Sequence, residues 1–371
     1  MPERNTMKKI QELQQVKGDA YDYYIAGNED TDLFEKIFLV DDIVEEICKP
    51  DKYFLIGEKG SGKTAYSVYM SKSDKINSFC SISLVENTLY QRFLNMKRQK
   101  ALELSSFKDV WINLIYLILA EKIRKEYGET FFSSMKYKQL SKAIDVFYSD
   151  AFKPEFVNAF EFVDNASASI NSMMKQGLFS TGTKASAETS QKYVEQSFQI
   201  SLLKIRDGFE KAFMSVNLKK PTILFVDGID ARPRDIDNEQ YFECLVGLVN
   251  AVLEMNQSFL KEKQIKIMLL IRPDIMYKMP VHNMNQKLRN NSVLLNWVTS
   301  YRKYIDSKLF KIADDYFMKQ QDYSYELGEC WNYYFPYKVE YQEKRKAPDN
   351  PFVEFLRYSL YKPRDILTML N

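Results

Sequence analysis

Glycine is scarce in this chain, with 12 in 371 residues, a share well under the usual level of about 7%. Three of them nevertheless crowd into one short stretch, at Gly57, Gly60 and Gly62. The segment Gly57-Glu58-Lys59-Gly60-Ser61-Gly62-Lys63-Thr64 satisfies the pattern G-x-x-x-x-G-K-[ST] at every fixed position. Ahead of it, Tyr53 to Ile56 is an apolar run of strand length; behind it, Lys63 to Met70 reads as helix. In that setting glycines let backbone N–H groups curl round phosphates, and the following helix turns its positive end toward them. Lys63 would reach the β- and γ-phosphates and the Thr64 hydroxyl would ligate Mg2+. The expected nucleotide-binding set is Gly57, Glu58, Lys59, Gly60, Ser61, Gly62, Lys63, Thr64 and Ala65. The plain alternative is a degenerate loop kept only as a turn.

A second segment belongs to the same chemistry. Pro221 to Asp230 is an apolar strand pattern with Asp227 at its carboxyl end, the edge at which open α/β sheets place their ligands. Asp227 would hold magnesium opposite Thr64. Asp230, three residues on, would orient or deprotonate the attacking water; its other reading is an N-cap. A further apolar strand ends in Arg272-Pro273-Asp274. Arg272 has two readings, a reach to the γ-phosphate and a surface ion pair with Asp274. Near the carboxyl end, Lys362-Pro363-Arg364-Asp365 opens a short helix. Arg364 would lie over the nucleotide, or else form part of an ordinary charged face.

Five strands are expected, at Tyr53 to Ile56, Ser78 to Val85, Thr222 to Val226, Ile265 to Ile271 and Ser292 to Leu295. Their nearly unbroken apolar character suits a doubly wound parallel sheet buried on both faces. Helical patterns run through Leu33 to Ile47, Phe107 to Tyr127, Tyr193 to Val216, Tyr241 to Leu253, Tyr304 to Phe317 and Pro351 to Leu370. The organisation read from this is a first half of the core over residues 1–127, then a helical insertion over 128–217. The second half of the core follows over 218–297 and a helical lid over 298–371. The middle of the insertion is rich in Ser, Ala, Thr and Gly, as mobile loops are.

Charge and cysteine content narrow the class. Lys plus Arg number 52 against 50 for Asp plus Glu, a net charge of +2, so there is no global field for gripping nucleic acid. Such binding would have to come from a local patch. The cluster Lys97-Arg98-Gln99-Lys100 is a candidate but matches any solvated helix end. Cys48, Cys80, Cys244 and Cys330 are scattered, and the single His282 has no metal partner in sequence. Isolated thiols fit a reducing compartment, and Val110 to Ala120 is too short to span a membrane. The expectation is a soluble cytoplasmic protein. The segment Tyr323 to Tyr341 is dense in aromatics, which suits lid core, an interface or base stacking.

In its order of parts the chain resembles the AAA+/STAND branch of P-loop ATPases, and more narrowly a KAP-related bacterial group often found in phage-defence gene clusters. The phrases carrying the resemblance are Phe34-Glu35-Lys36, the Gly57–Thr64 loop, Asp227-Gly228-Ile229-Asp230, Arg272-Pro273-Asp274-Ile275 and Pro363-Arg364-Asp365. The resemblance implies sensor positions at Arg272 and Arg364. It also implies ATP and Mg2+ as cofactors, and slow hydrolysis that switches an assembly between states. An antiphage role is implied with it, through a homo-oligomer or a separate effector protein. It departs from ordinary AAA+ chains at Gly228, where a second acid usually follows the first. There is no N-K-x-D guanine reader, which favours adenine. The rival readings are a nucleotide-gated scaffold with little turnover and a phosphotransferase.

Overall fold

The computed structural model describes residues 13–25, 28–85, 107–132, 137–150, 202–230, 232, 237–279, 288–321, 324–340 and 349–371. His282, the basic cluster at 97–100, residues 323 and 341, and the stretch 151–201 of the expected insertion lie outside the described residues.

The chain is an α/β protein built on a five-stranded, all-parallel sheet. Its strands are β1 (Phe54–Ile56), β2 (Phe79–Leu84), β3 (Thr222–Asp227), β4 (Ile265–Ile271) and β5 (Ser292–Leu294), in the order β2-β3-β4-β1-β5. Every residue of β3 and of β4 is buried, which is why both read as nearly unbroken apolar runs. β2 and β3 run in register from Phe79 beside Thr222 to Leu84 beside Asp227. β4 follows from Ile265 beside Thr222 to Leu269 beside Val226. The Tyr53 amide donates to Asn291 O at 2.7 Å, and the Leu269 amide donates to Tyr53 O at 2.9 Å. The chain thus leaves β1 for the far edge, returns through β3 and β4, and crosses to the other side for β5.

β1 is short, and β4 outruns it. In β4 the odd-numbered residues face β1, as the Leu269–Tyr53 bond shows, so Ile267 has no strand partner on that side. Asn256 supplies one: its Oδ1 accepts from the Ile267 amide at 2.8 Å and its Nδ2 donates to Ile267 O at 2.7 Å. Buried backbone groups need such partners. Asn256 ends a helix over Asn238–Asn256 that packs on another over Phe107–Phe132. At their crossing a Cβ on Gly247 would stand 2.6 Å from Phe107 Cβ, so only glycine fits. Trp111 donates from Nε1 to Cys244 O at 3.1 Å in the same contact.

Two expected helices are broken. The apolar pattern Leu33 to Ile47 is divided into Asn28–Ile37 and Asp42–Cys48, because Asp41 leaves the helical region and caps the second piece by accepting from the Ile43 amide. The pattern Pro351 to Leu370 divides into Pro351–Ser359 and Pro363–Leu370. Leu360 and Tyr361, at φ 49° and 60°, make the break. The described aromatics of the segment Tyr323 to Tyr341 are mixed: Trp331 is fully buried and stacks on Phe335 at 4.3 Å and edge-on to Phe352 at 5.2 Å, while Tyr325, Tyr334 and Phe335 are half-buried. Tyr333 and Tyr337 are exposed.

The chain divides into two compact units. One holds Met1–Lys49, Ile56–Ile76 and Val293–Asn371; the other holds Pro50–Leu55 and Asn77–Ser292.

Candidate functional site

In the first unit the loop from Gly57 to Gly62 turns through two left-handed residues, Gly60 at φ 84° and Gly62 at φ 95°. Side chains resist that region. The helix Lys63–Lys72 then starts from Gly62, which has no side chain to cap it, so the positive end of the helix is left bare of a capping oxygen. Lys63 is buried, and its ammonium reaches back across the loop to donate to Gly57 O at 2.8 Å and Glu58 O at 3.2 Å. Ser61 is also buried, and its Oγ has no hydrogen-bond partner among the described residues. A buried hydroxyl left unsatisfied costs stability. A donor-lined glycine loop with a buried cation and an orphan hydroxyl has the chemistry of a phosphate site.

Three other segments of this unit meet the loop. Trp297, beyond β5, donates from Nε1 to Ser61 O at 2.8 Å. The Arg364 amide donates to Gly60 O at 3.3 Å, and the Arg364 Cβ lies 3.6 Å from where a Cβ on Gly60 would be. Lys362 pairs with Glu58 at 3.7 Å. The helix Pro363–Leu370 therefore begins on the tip of the glycine turn. The Arg364 guanidinium itself has no hydrogen-bond or ion-pair partner among the described residues. Thr64 and Ala65 lie half-buried in the first turn of the helix, and Glu58 and Lys59 are exposed.

Behind the loop the helix is pinned at Tyr66. Its phenol donates to Asp41 Oδ1 at 2.9 Å, and Lys308 donates to Asp41 Oδ2 at 2.7 Å and to Asp42. Burial first, then the Asp41 carboxylate, pushes the Tyr66 phenol far above its ordinary range. Burial opposes the Lys308 charge, but its bonds to Asp41 and Asp42 outweigh that and raise its pKa.

In the second unit Asp227 closes β3. It is buried, and its Oδ1 accepts from the Gly228 amide at 2.7 Å. Gly228 stands at φ 85°, and a Cβ there would meet Val85 O at 3.0 Å and Val85 N at 3.3 Å. This explains why no acid follows Asp227: the backbone at 228 has neither the conformation nor the room for a side chain. Asp230, half-buried, ends the turn beside Tyr241. Burial and then the Asp230 charge raise the Tyr241 phenol, which donates to Ile229 O at 2.7 Å. Arg272 stands just ahead of the helix Pro273–Lys278 at the end of β4, with no side-chain bond to the helix end. Its Nε and Nη2 fork onto the two oxygens of Asp274 at 2.9 and 2.7 Å. Of the two readings for Arg272, the ion pair is the one present.

The sequence named the loop residues and Arg364 but missed Trp297, Lys362 and Tyr66. Lys362 adjoins the Pro363-Arg364 phrase and carries the same basic signal. Trp297 has no local signal, because its place depends on β5 lying beside β1.

Compared with protein-family models, curated proteins and solved structures, the chain matches none.

Proposed function

We infer that this protein binds ATP with Mg2+ at the Gly57–Thr64 loop and hydrolyses it slowly, as a nucleotide-dependent switch. The observation that carries the reading is the loop itself. It combines two left-handed glycines, a buried lysine, an orphan hydroxyl and the start of the Pro363–Leu370 helix. The finer fold assignment goes with it: a doubly wound P-loop ATPase core of AAA+/STAND type. Its crossing point is β1, where open α/β sheets bind ligands. Lys63 would neutralise the β- and γ-phosphates, Ser61 and the helix amides would donate to phosphate oxygens, and Thr64 would ligate Mg2+; Asp227 as a carboxylate for the metal is read from the sequence. ATP supplies the phosphoanhydride whose cleavage water completes; Asp230 orients that water. Phage defence with a separate effector rests on the sequence resemblance alone.

One observation favours a second reading, a nucleotide-gated scaffold with little turnover. The conformation of Gly228 excludes an acid at the position where AAA+ chains normally carry one.

Lys63→Ala tests the binding step. It removes a charge-assisted contact of about 1.5–3 kcal/mol, so labelled ATP titrated into the variant should bind roughly ten- to a hundredfold more weakly. Unchanged affinity would refute the assignment. Phosphate release by the wild type, measured with Mg2+ and with chelator, separates switch from scaffold.

A further inference from the structure

The overall charge balance conceals a segregated cluster. In the second unit, two neighbouring loops lead into the amino ends of β3 and β4. They carry Lys219, Lys220, Lys261 and Lys263. Thr222 donates from its amide to Gln264 O at 2.8 Å, and Lys263 Nζ donates to Asn217 Oδ1 at 3.2 Å, so the loops are held side by side. Lys52 and Arg289 stand just before β1 and β5, also neighbours, and Lys52 Nζ donates to Asn290 O at 3.0 Å. Two carboxylates, Asp51 and Glu262, share these loops with the six cations. None of the six makes an ion pair among the described residues.

The cations stand at two levels. Phe54 stands beside Leu269, just as Thr222 stands beside Ile265 when its amide bonds to Gln264 O, so Lys52 is level with Ile267, four positions above Lys263 and Lys220. At a rise of about 3.3 Å per residue the step is about 13 Å. That is close to the major-groove width of B-DNA, about 12 Å, which separates two phosphate backbones. Amides accompany the charges: Asn217, Gln264 and Asn290 are exposed beside them. None of the exposed large hydrophobic side chains belongs to these loops, so nothing is there to enter a bilayer.

We propose that this stepped edge, at the amino ends of the strands, binds the phosphate backbone of duplex nucleic acid without reading its sequence. The site is independent of the nucleotide loop, which follows the carboxyl end of β1. Unpaired lysines release condensed counterions from the duplex on binding, which makes affinity fall steeply with salt.

The test is fluorescence anisotropy of a labelled 25-base-pair DNA duplex titrated with the full chain at several salt concentrations. The wild type should bind at 50 mM salt and weaken on a log–log line. Lys219→Gln/Lys220→Gln/Lys261→Gln together should cut affinity about tenfold or more and lower the slope by about 0.9 for each lysine that touched phosphate. Lys303→Gln, on an exposed lysine of the other unit, should change nothing. Lys63→Ala should keep duplex binding while losing ATP, so the two readings fail separately. An unaltered melting temperature of the triple variant shows that its fold is intact. No binding at 50 mM salt would overturn the proposal, as would equal binding by the triple variant. Equal affinity for polyglutamate or for vesicles with one quarter phosphatidylserine would also overturn it, since the edge would then be a general anion surface.

Discussion

Asp227, Gly228 and Asp230 decide how far this site can take the chemistry beyond binding. Asp227 is held at the end of a fully buried strand, and the next residue has φ 85° against the Val85 backbone. Gly228→Glu therefore cannot install the missing acid without strain of about 1–2 kcal/mol from the left-handed backbone alone. Thermal melting should show it less stable than Gly228→Ala, which meets the same backbone penalty with a smaller side chain. The water-orienting role then falls to Asp230. Asp230→Asn should retain ATP and lose hydrolysis by about a hundredfold; Asp227→Asn should instead blunt the response to Mg2+. Equal turnover in wild type and Asp230→Asn would move the base to another carboxylate, with Glu239 or Glu243 next in line. Arg272 belongs to this scale too. Its fork on Asp274 must open before the guanidinium can serve a phosphate.

Elements differ in how well the sequence announces them. β3 and β4 are legible because burial on both faces leaves Thr222–Val226 and Ile265–Ile271 almost wholly apolar, and their bounds fall within a residue of expectation. The glycine turn is legible because two of its residues need φ values that other residues avoid. The helix breaks at Asp41 and at Leu360–Tyr361 are not. The apolar spacing runs on through both, and the local signals, the capping Asp41 and Pro363 at the head of the next helix, are weaker than that periodicity. Strand order is likewise invisible, since it depends on contacts far apart in sequence, and with it Trp297 and Asn256 escape notice. Asn256 offers a measurable case. In Asn256→Ala the amide and carbonyl of Ile267 lose their partners, each worth about 1–3 kcal/mol when buried and unsatisfied. A clear fall in denaturation midpoint is expected, with a smaller one for Asn256→Asp, which still accepts from the amide. A midpoint unchanged in both would mean that β4 finds its partners elsewhere.

At the scale of the molecule, the reading of a switch rests on Arg364, whose backbone is fixed to Gly60 while its guanidinium has no partner among the described residues. Only the triphosphate offers a γ-charge, and a ligand shifts an equilibrium only by its differential affinity for the two states. ATP with Mg2+ should move the protein, alone or with its effector, to a larger assembly in sedimentation, and ADP should not. Arg364→Ala should abolish that shift while keeping most ATP affinity. Identical profiles with ATP, ADP and no nucleotide would leave the scaffold reading in place. The division of the chain also sets a schedule. The unit that carries the glycine loop takes its pieces from Met1–Lys49, Ile56–Ile76 and Val293–Asn371, whereas the other unit is complete at Ser292. On the ribosome, at about 5–20 residues per second, the stretch Val293–Asn371 takes roughly 4–16 s to emerge. Through most of that interval the nascent chain carries Lys63 and Thr64 without Lys362 or Arg364, so the nucleotide loop is completed only after the other unit has been made.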